Sequence, residues 1–313
     1  MISETVSTPH CRTSSRDEPS NYIIETTHTI AAINRRLRLV DYLGAAMPEL
    51  GSKSATKKAL RAKRIRINGR LASGAEYVKE GDEIKLAAAK NESIKALEID
   101  LPIVYEDDDM IVVNKPAGIA TNGNRYKTVE NAVIGKFKPS GRADALARPV
   151  AAHRLDVPTR GLLIMAKSRK ALVSLGDSFA RKRVQKTYHA IVHGTPPDSG
   201  SVDTEVAEKS ALTHYSVIRS VPSRNYKSLA LIALRPQTGR THQLRIHMQS
   251  IGHPIVGDKM YVGNQHTIFG KGVYLAATGL ELPHPIEAKR VTLQMGLPPK
   301  FTRLLDREES RAQ

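Results

Sequence analysis

The chain has 313 residues, enough for one large and one small domain that each bury a core of their own. Lysine and arginine outnumber aspartate and glutamate by 48 to 31, a net charge of +17 that points to a polyanionic partner. No apolar run approaches the ~18 residues of a spanning helix and no signal peptide opens the chain, so we expect a cytoplasmic protein without a membrane partner. A single cysteine, Cys11, excludes an internal disulfide and a cysteine-rich zinc site.

Composition divides the chain into four segments. Residues 1–33 mix Ser, Thr, Pro and acidic residues with almost no apolar periodicity, which predicts a disordered arm. Residues 34–90 predict a small α+β domain, residues 91–100 a linker, and residues 101–313 one larger mixed domain. The expected fold class is therefore α+β, with a mixed, mostly antiparallel sheet in the large domain and the small domain preceding it.

Apolar patterns in the small domain predict two helices followed by strands. Helical spacing runs through residues 37–47, and a second short helix fits residues 54–62. Residues 64–67 alternate as a strand, Asn68-Gly69 offers a hairpin turn, and a further strand pair is predicted across 78–86. These elements make a small α+β module.

The small domain is strongly basic. Residues 34–90 hold fourteen Lys and Arg against six Asp and Glu, a net charge of +8, and a solvated helix face is the ordinary explanation of such a run. The segment resembles the S4 RNA-binding module in its two helices, in residues 64–70 and in the closing strand at 78–84. Residues 51–54 differ, since Gly-Ser-Lys-Ser stands where such modules commonly carry a Ser-Arg pair. The resemblance implies a surface for the RNA backbone formed by Lys53, Lys57, Arg61, Arg64 and Arg66.

The large domain alternates short apolar runs with turns, which predicts a mixed sheet. Strands are predicted at 103–105, 110–113, 162–165, 188–192, 213–218, 229–234, 273–277 and 291–295. Helices fit residues 129–137, 169–180 and 241–250, the last with Gly252 just past its end. A mostly antiparallel α+β sheet is the economical architecture for this pattern.

Asp156 is the candidate reactive carboxylate. It ends the run His153-Arg154-Leu155-Asp156, in a loop that leads into the strand predicted at 162–165. Loop aspartates are more often turn or capping residues than catalytic ones. A protein-kinase catalytic loop also begins with His-Arg and an acid, but here Leu155 intervenes and no glycine-rich phosphate loop is present. A nucleoside or glycoside hydrolase usually needs two opposed carboxylates, and no second acid stands out beside Asp156.

Two downstream residues suit a site built around Asp156. Arg245, in the cluster 235–248, would hold an ionised carboxylate in place if the fold buries the two side chains together. Tyr188 opens a strand behind the basic run 181–183. A half-buried strand tyrosine is the commoner case, and a ring that stacks on an extruded base is the functional alternative.

Histidines crowd the same cluster without predicting a metal site. His242 and His247 lie five positions apart on a predicted helix, roughly 140° around its axis, so they do not share one helix face. His253 follows only after the helix ends. We therefore expect no metal.

Four separated segments, in order, resemble the RluA family of pseudouridine synthases. They are residues 104–118, the His-Arg-Leu-Asp run with Thr159 and residues 161–163, the strand with Lys186 and Tyr188, and residues 238–245. The resemblance covers about two thirds of the chain, from Leu101 onward. Arg160 departs from the family pattern, which usually has serine there, and the change bears on which RNA stem the neighbouring loop accepts.

The resemblance implies an isomerisation of uridine to pseudouridine in structured RNA that needs no cofactor. It implies that Asp156 is the essential carboxylate, that Tyr188 stacks on the target uracil and that Arg245 pairs with Asp156. It also implies that Arg154 helps occupy the space left by the flipped nucleotide and that Leu275 lines the base pocket. Ribosomal RNA is the preferred partner and transfer RNA the other, with the protein acting as a monomer. A non-catalytic RNA-binding or ribosome-assembly protein that kept the fold is the alternative function.

Overall fold

A computed structural model describes residues 24–33, 35–47, 50, 52–87, 95–262 and 272–312. The chain divides into two units that pack separately, residues 1–93 and residues 94–313. Across the described ranges, no helix combines the length and the apolar character that crossing a bilayer requires.

The first unit is a four-stranded antiparallel sheet with two helices. Its elements are β1 (Ile24–Thr29), α1 (Leu39–Ala46), α2 (Lys53–Arg61), β2 (Ile65–Ile67), β3 (Arg70–Leu71) and β4 (Glu83–Ala87). The strand order is β1-β4-β2-β3. Leu39 and Leu43, one helical turn apart, pack with Ile65 and Ile84 in one buried cluster. The Ser52 hydroxyl accepts a hydrogen bond from the Ala55 amide and so caps the start of α2.

Strand β1 differs from the sequence prediction. Residues 24–33 were expected in a disordered arm, but β1 pairs with β4 and Ile30 is buried in the core. The prediction was wrong there because β1 is an edge strand that is held by backbone hydrogen bonds and is poor in apolar side chains. The rest of the predicted arm, residues 1–23, lies outside the described residues. The predicted Asn-Gly hairpin turn is present, with positive φ at both Asn68 and Gly69.

The second unit is built on a ten-stranded sheet. Its strands are β5 (Ile103–Glu106), β6 (Met110–Lys115), β7 (Ala145–Ala151), β8 (Arg160–Ser168), β9 (Gln185–His193), β10 (Ser199–Val202), β11 (Thr213–Ser223), β12 (Lys227–Pro236), β13 (Leu275–Pro283) and β14 (Arg290–Gln294). The main order is β10-β11-β12-β9-β13-β8-β6-β5, with β14 beside β13 and β7 beside β8. Among these described strands only β13 and β8 pair in parallel. The predicted α+β class with a mostly antiparallel sheet is confirmed.

Helices of the second unit are α3 (Val129–Ala132), α4 (Arg169–Ala180), α5 (Gln243–Ser250) and α6 (Pro299–Ala312). The sequence predicted α4 with the same bounds, whereas α3 stops well before the predicted residue 137. The α5 helix starts at Gln243 because His242 adopts a left-handed backbone, with φ of 58°. The strands β7 and β10 and the helix α6 were not predicted.

The predicted linker also needs correction, because its described part belongs to the second unit. Leu97 and Leu101 are buried in a core cluster with Ile111 and Leu163. The Leu97 amide donates to the carbonyl oxygen of Asn131 at 3.0 Å. The single apolar residues that alternate with charged ones in this stretch therefore belong to the core of the second unit and not to a linker.

The centre of the sheet, where β9, β13 and β8 lie side by side, carries the site described below. Gly161 lies where the parallel strands β8 and β13 meet, with φ of +119°. A Cβ atom at Gly161 would lie 2.0 Å from the carbonyl oxygen of Ala277, a distance that no side chain tolerates. Only glycine lets β13 approach β8 here.

Candidate active site

A cavity of about 540 Å³ opens beside the central strands. Its lining includes the five residues singled out in the large domain, which are Arg154, Asp156, Tyr188, Arg245 and Leu275. They come from four separate segments of the chain, so the fold brings together residues that the sequence only placed in order. Asp156 is the only carboxylate among the described residues that line the cavity. A pair of opposed carboxylates, as a glycosidase uses, is therefore not formed by these residues.

The loop that carries Asp156 is fixed by its neighbours on both sides. Leu155 is buried, and its amide and carbonyl groups both bond to the Thr121 hydroxyl at 3.1 Å. The carbonyl oxygen of Asp156 accepts from the Thr159 amide at 3.0 Å, which closes a tight turn. The neutral His153 ring accepts from the Ile164 amide at 3.0 Å, and burial lowers the pKa of this histidine to about 3. The Asp156 side chain is 17% exposed, so a ligand can contact it while the loop holds it in a fixed position.

A buried lysine, Lys115, holds the same loop by hydrogen bonds to its backbone. The Lys115 ammonium donates to the carbonyl oxygens of Thr159 at 2.8 Å, Pro116 at 3.0 Å and Val157 at 3.3 Å. Burial lowers the pKa of Lys115 to about 8, and the Asp156 charge opposes that shift. The bonds to Val157 and Thr159 join the end of β6 to the turn that follows Asp156.

Arg245 faces Asp156 but is bound by another carboxylate. Its Nη1 lies 3.7 Å from Asp156 Oδ2, which is beyond hydrogen-bond length. Its Nε and Nη2 donate to the two carboxylate oxygens of Asp258 at 2.6 and 2.7 Å. Asp258 is buried, with 1% of its side chain exposed. Asp258 therefore anchors the guanidinium, which places positive charge near Asp156 without a direct hydrogen bond to that carboxylate.

His242 and Tyr261 complete the wall around Asp156. The His242 Nε2 atom lies 3.9 Å from Asp156 Oδ1, and its Nδ1 atom is 2.8 Å from the Tyr261 hydroxyl. The Arg245 guanidinium carbon lies 4.9 Å from the centre of the Tyr261 ring. The two oxygens of Asp156 thus face two different nitrogen atoms, Nη1 of Arg245 on one side and Nε2 of His242 on the other.

Tyr188 and Leu275 form the apolar part of the cavity. Tyr188 on β9 pairs in register with Ala277 of β13, which puts Leu275, two residues earlier, on the same face. Both side chains pack against one core cluster. Burial and the nearby Asp156 charge raise the pKa of Tyr188, so its hydroxyl stays protonated at neutral pH. A flat aromatic ring beside an aliphatic side chain suits a planar base.

The mouth of the cavity is cationic. Arg154, Lys182 and Arg240 are exposed and line it, together with the half-buried Lys186. The Lys186 ammonium donates to the Thr238 carbonyl oxygen at 3.2 Å, and burial lowers the pKa of this lysine. Positive side chains around an opening attract and orient a polyanion such as an RNA backbone.

The three histidines of the 242–253 segment do not converge. His242 bonds to Tyr261, His247 to the Thr204 carbonyl oxygen, and His253 to the His193 carbonyl oxygen. The helix-face argument does not apply to His242, because this residue precedes α5 with a left-handed backbone.

In the first unit, the candidate RNA-contacting side chains fall into two groups. Lys57 and Arg61 are exposed on α2, one turn apart, and Lys53 beside them pairs with the carboxylate of Asp41 at 2.7 Å. Arg64 donates to the Ala87 carbonyl oxygen, and Arg66 donates to that of Gly69. The α2 residues are thus the more available cations of the predicted surface, and an RNA-binding role for the unit stays a prediction.

Sequence reasoning missed His242, Asp258, Tyr261 and Lys115 as parts of the site. Lys115 lies in the segment 104–118 and Asp258 lies ten residues beyond the cluster 235–248, yet nothing in their spacing shows that they bond to the Asp156 loop and to Arg245. The useful signal for Lys115 is a lysine at the end of a strand that opens with four apolar residues, since a buried lysine must find carbonyl or carboxylate partners.

Comparison with known proteins agrees with the geometry. Residues 109–250 match the family model for RNA pseudouridylate synthase. Ribosomal large subunit pseudouridine synthase C of Rickettsia bellii is 34% identical over 299 residues, covering 85% of this chain and 96% of the relative. Ribosomal large subunit pseudouridine synthase D of Haemophilus ducreyi is 32% identical over 301 residues, covering 86% and 90%.

Solved structures share the fold. Human RNA pseudouridylate synthase domain containing 4 superposes with a TM-score of 0.53 at 24% identity, covering 66% of this chain and 92% of that one. The relatives above exceed 30% identity across nearly their whole length, and the matched residues include the loop of Asp156 and the helix of Arg245. The chain therefore belongs to the RNA pseudouridylate synthase family and is an RNA pseudouridine synthase.

Proposed function

We propose that this enzyme isomerises specific uridines in structured ribosomal RNA and that Asp156 is its essential carboxylate. The observation that carries the proposal is the position of Asp156, a partly exposed carboxylate on a rigid loop inside a cationic cavity. The names of the relatives, which are ribosomal large subunit pseudouridine synthases, favour ribosomal over transfer RNA.

The reaction moves one bond. The glycosidic bond between the sugar C1′ and the base N1 breaks, the uracil turns, and C5 of the base bonds to C1′, while C5 loses a proton and N1 gains one. Attack of the carboxylate on C1′, its addition to C6 of the base, or its removal of a sugar proton each needs one ionised, fixed carboxylate. The Arg245 guanidinium at 3.7 Å and the loop contacts supply the fixing for Asp156.

The target base must leave its helix to reach Asp156. Extrusion costs a few kcal/mol, which contacts to the RNA backbone can offset. Tyr188 and Leu275 offer the faces between which the uracil would lie. Arg154, an exposed residue of the cavity lining two positions before Asp156, would fill the gap left in the RNA. The basic α2 surface of the first unit would add further phosphate contacts.

Replacement of Asp156 by asparagine tests the proposal. We expect Asp156→Asn to abolish pseudouridine formation and to leave RNA affinity within about tenfold, because the amide keeps the shape but lacks the charge. Ribosomal and transfer RNA from cells lacking the gene would be incubated with each variant, and pseudouridines mapped at single-nucleotide resolution. Asp108→Asn, an exposed loop aspartate paired with Arg142 and absent from the cavity lining, is the matched control.

Activity like that of the wild type in Asp156→Asn would overturn the proposed role of this carboxylate. Modification of transfer RNA alone would overturn the assignment of ribosomal RNA. Pseudouridine at the same ribosomal positions for wild type and for Asp108→Asn, with none for Asp156→Asn, is the expected result.

A further inference from the structure

A short turn contacts both of the side chains that face Asp156, Arg245 and His242. Residues 258–262 form this turn, in which the Asp258 carbonyl oxygen accepts from the amides of Tyr261 at 3.3 Å and Val262 at 3.1 Å. The Asp258 carboxylate binds the edge of the Arg245 guanidinium. The guanidinium carbon of Arg245 lies over the Tyr261 ring, 4.9 Å from the ring centre. Arg245 is thus held in two directions by one turn.

The Tyr261 hydroxyl also reaches the second donor, His242. The rings meet edge to face, with centroids 5.8 Å apart and an angle of 82°. The hydroxyl oxygen lies 2.8 Å from His242 Nδ1. His242 itself has a left-handed backbone, with φ of 58° and ψ of 17°, a conformation that costs a non-glycine residue free energy and that concentrates at functional sites.

The position of Asp156 favours one tautomer of the neutral His242 ring. A neutral imidazole carries one hydrogen, and a lone pair on Nε2 would face the negative Asp156 oxygen 3.9 Å away. A hydrogen on Nε2 faces that oxygen favourably and leaves Nδ1 to accept from the Tyr261 hydroxyl. Burial raises the pKa of Tyr261, which keeps its hydroxyl as a donor.

We propose that Tyr261 is a positioning residue that fixes Arg245 and the Nε2–H form of His242 on either side of Asp156. The proposal rests on the role given to Asp156 above and deepens it. The gaps of 3.7 and 3.9 Å leave both carboxylate oxygens without a direct bond to Arg245 or His242. Two fixed donors at that range orient the carboxylate and leave its lone pairs for the sugar or the base.

Removal of the Tyr261 hydroxyl tests the proposal with an enzymatic and a spectroscopic readout. Tyr261→Phe keeps the ring against Arg245 and loses one hydrogen bond, so we expect kcat to fall about fivefold with the KM for RNA unchanged. The matched control is Tyr126→Phe, which loses a 2.7 Å hydroxyl bond to the Ala96 carbonyl oxygen outside the cavity lining. A fall in kcat for the control alone, or an equal fall in both, would overturn the proposal.

The tautomer of His242 is read directly by nitrogen-15 NMR of the full chain labelled at histidine, with the His242 signal assigned from a His242→Asn variant. We expect the Nε2–H form in the wild type and a mixture of both forms in Tyr261→Phe. An Nδ1–H form in the wild type would overturn the proposal even if the variant failed to fold. This readout needs no activity, so its failure is distinct from a failure of the Asp156→Asn test.

Discussion

The buried pair of Arg245 and Asp258 gives the sharpest test of how the site is held. Asp258→Asn keeps the side-chain shape but removes the negative charge that two guanidinium nitrogens contact at 2.6 and 2.7 Å. Both side chains are at most 5% exposed, so water cannot replace the lost charge. Removal of one partner of a buried ion pair costs about 3–5 kcal/mol, and because asparagine keeps one acceptor oxygen, we expect about 3 kcal/mol.

Glu281→Gln is the matched control for Asp258→Asn. The Glu281 carboxylate also accepts from Nε and Nη2 of an arginine, Arg290, but the two side chains are 38% and 54% exposed. An exposed pair of this kind contributes less than about 1 kcal/mol. Urea unfolding followed by far-ultraviolet circular dichroism measures both free energies of unfolding, which suits a chain without tryptophan.

The same substitution has a kinetic consequence. Without Asp258, Arg245 is free to close the 3.7 Å gap to Asp156 and bond to it directly, which ties up the carboxylate. We expect kcat to fall at least about tenfold, equivalent to ~1.4 kcal/mol in the activation free energy. Equal losses of unfolding free energy in Asp258→Asn and Glu281→Gln, with kcat unchanged in both, would refute the idea that Asp258 holds Arg245 in place.

Two further predictions concern the loop of Asp156 and the first unit. Burial lowers the pKa of His153 from 6.5 to about 3, so its contribution to stability is complete above pH 6.5 and is lost as the pH falls from 6.5 toward 3. Between pH 7.5 and pH 5, the wild type should lose about 1–2 kcal/mol more than His153→Gln in urea unfolding, and parallel pH profiles would contradict this. Replacement of both Lys57 and Arg61 by Gln should weaken RNA binding, as measured by fluorescence anisotropy. The slope of log Kd against log salt concentration should fall by the amount expected for the loss of about two phosphate contacts. The exposed Lys79→Gln is the control, and an unchanged salt slope in the double variant would count against an RNA surface on α2.

Much of the fold was predictable because local patterns and the final structure agree. The helix α4 begins after Ser168, whose hydroxyl caps it, and so its bounds could be read from the sequence. The strand β1 could not, because its stability comes from pairing with β4, which lies more than fifty residues later. The helix start at Gln243 was missed because helical spacing continues through His242. The His242 residue instead has a left-handed backbone, and its ring contacts Tyr261 and Asp156, which are tertiary contacts that local propensity does not reveal.

The candidate site divides in the same way. Asp156, Tyr188 and Arg245 stand in segments with a recognisable resemblance, and the structure brings all three to one cavity. Their supports were hidden because they depend on distant contacts. Lys115 bonds to Thr159, 44 positions away, and Asp258 bonds to Arg245 across a helix end. Pairings of this kind are set by tertiary packing, which a linear pattern does not encode.

The close approach of β8 and β13 at Gly161 fixes the centre of the sheet, whereas the strands at the two ends of the sheet are not under this constraint. The strands that carry the cavity occupy the middle of the sheet, while β5 and β10 form its two ends. Insertions, extra strands or fused domains at those ends would leave the spacing between Asp156, Tyr188 and Leu275 unchanged. Changes at the sheet margins would therefore leave the geometry of the cavity intact, because the absence of a Cβ atom at Gly161 lets β8 and β13 lie close together.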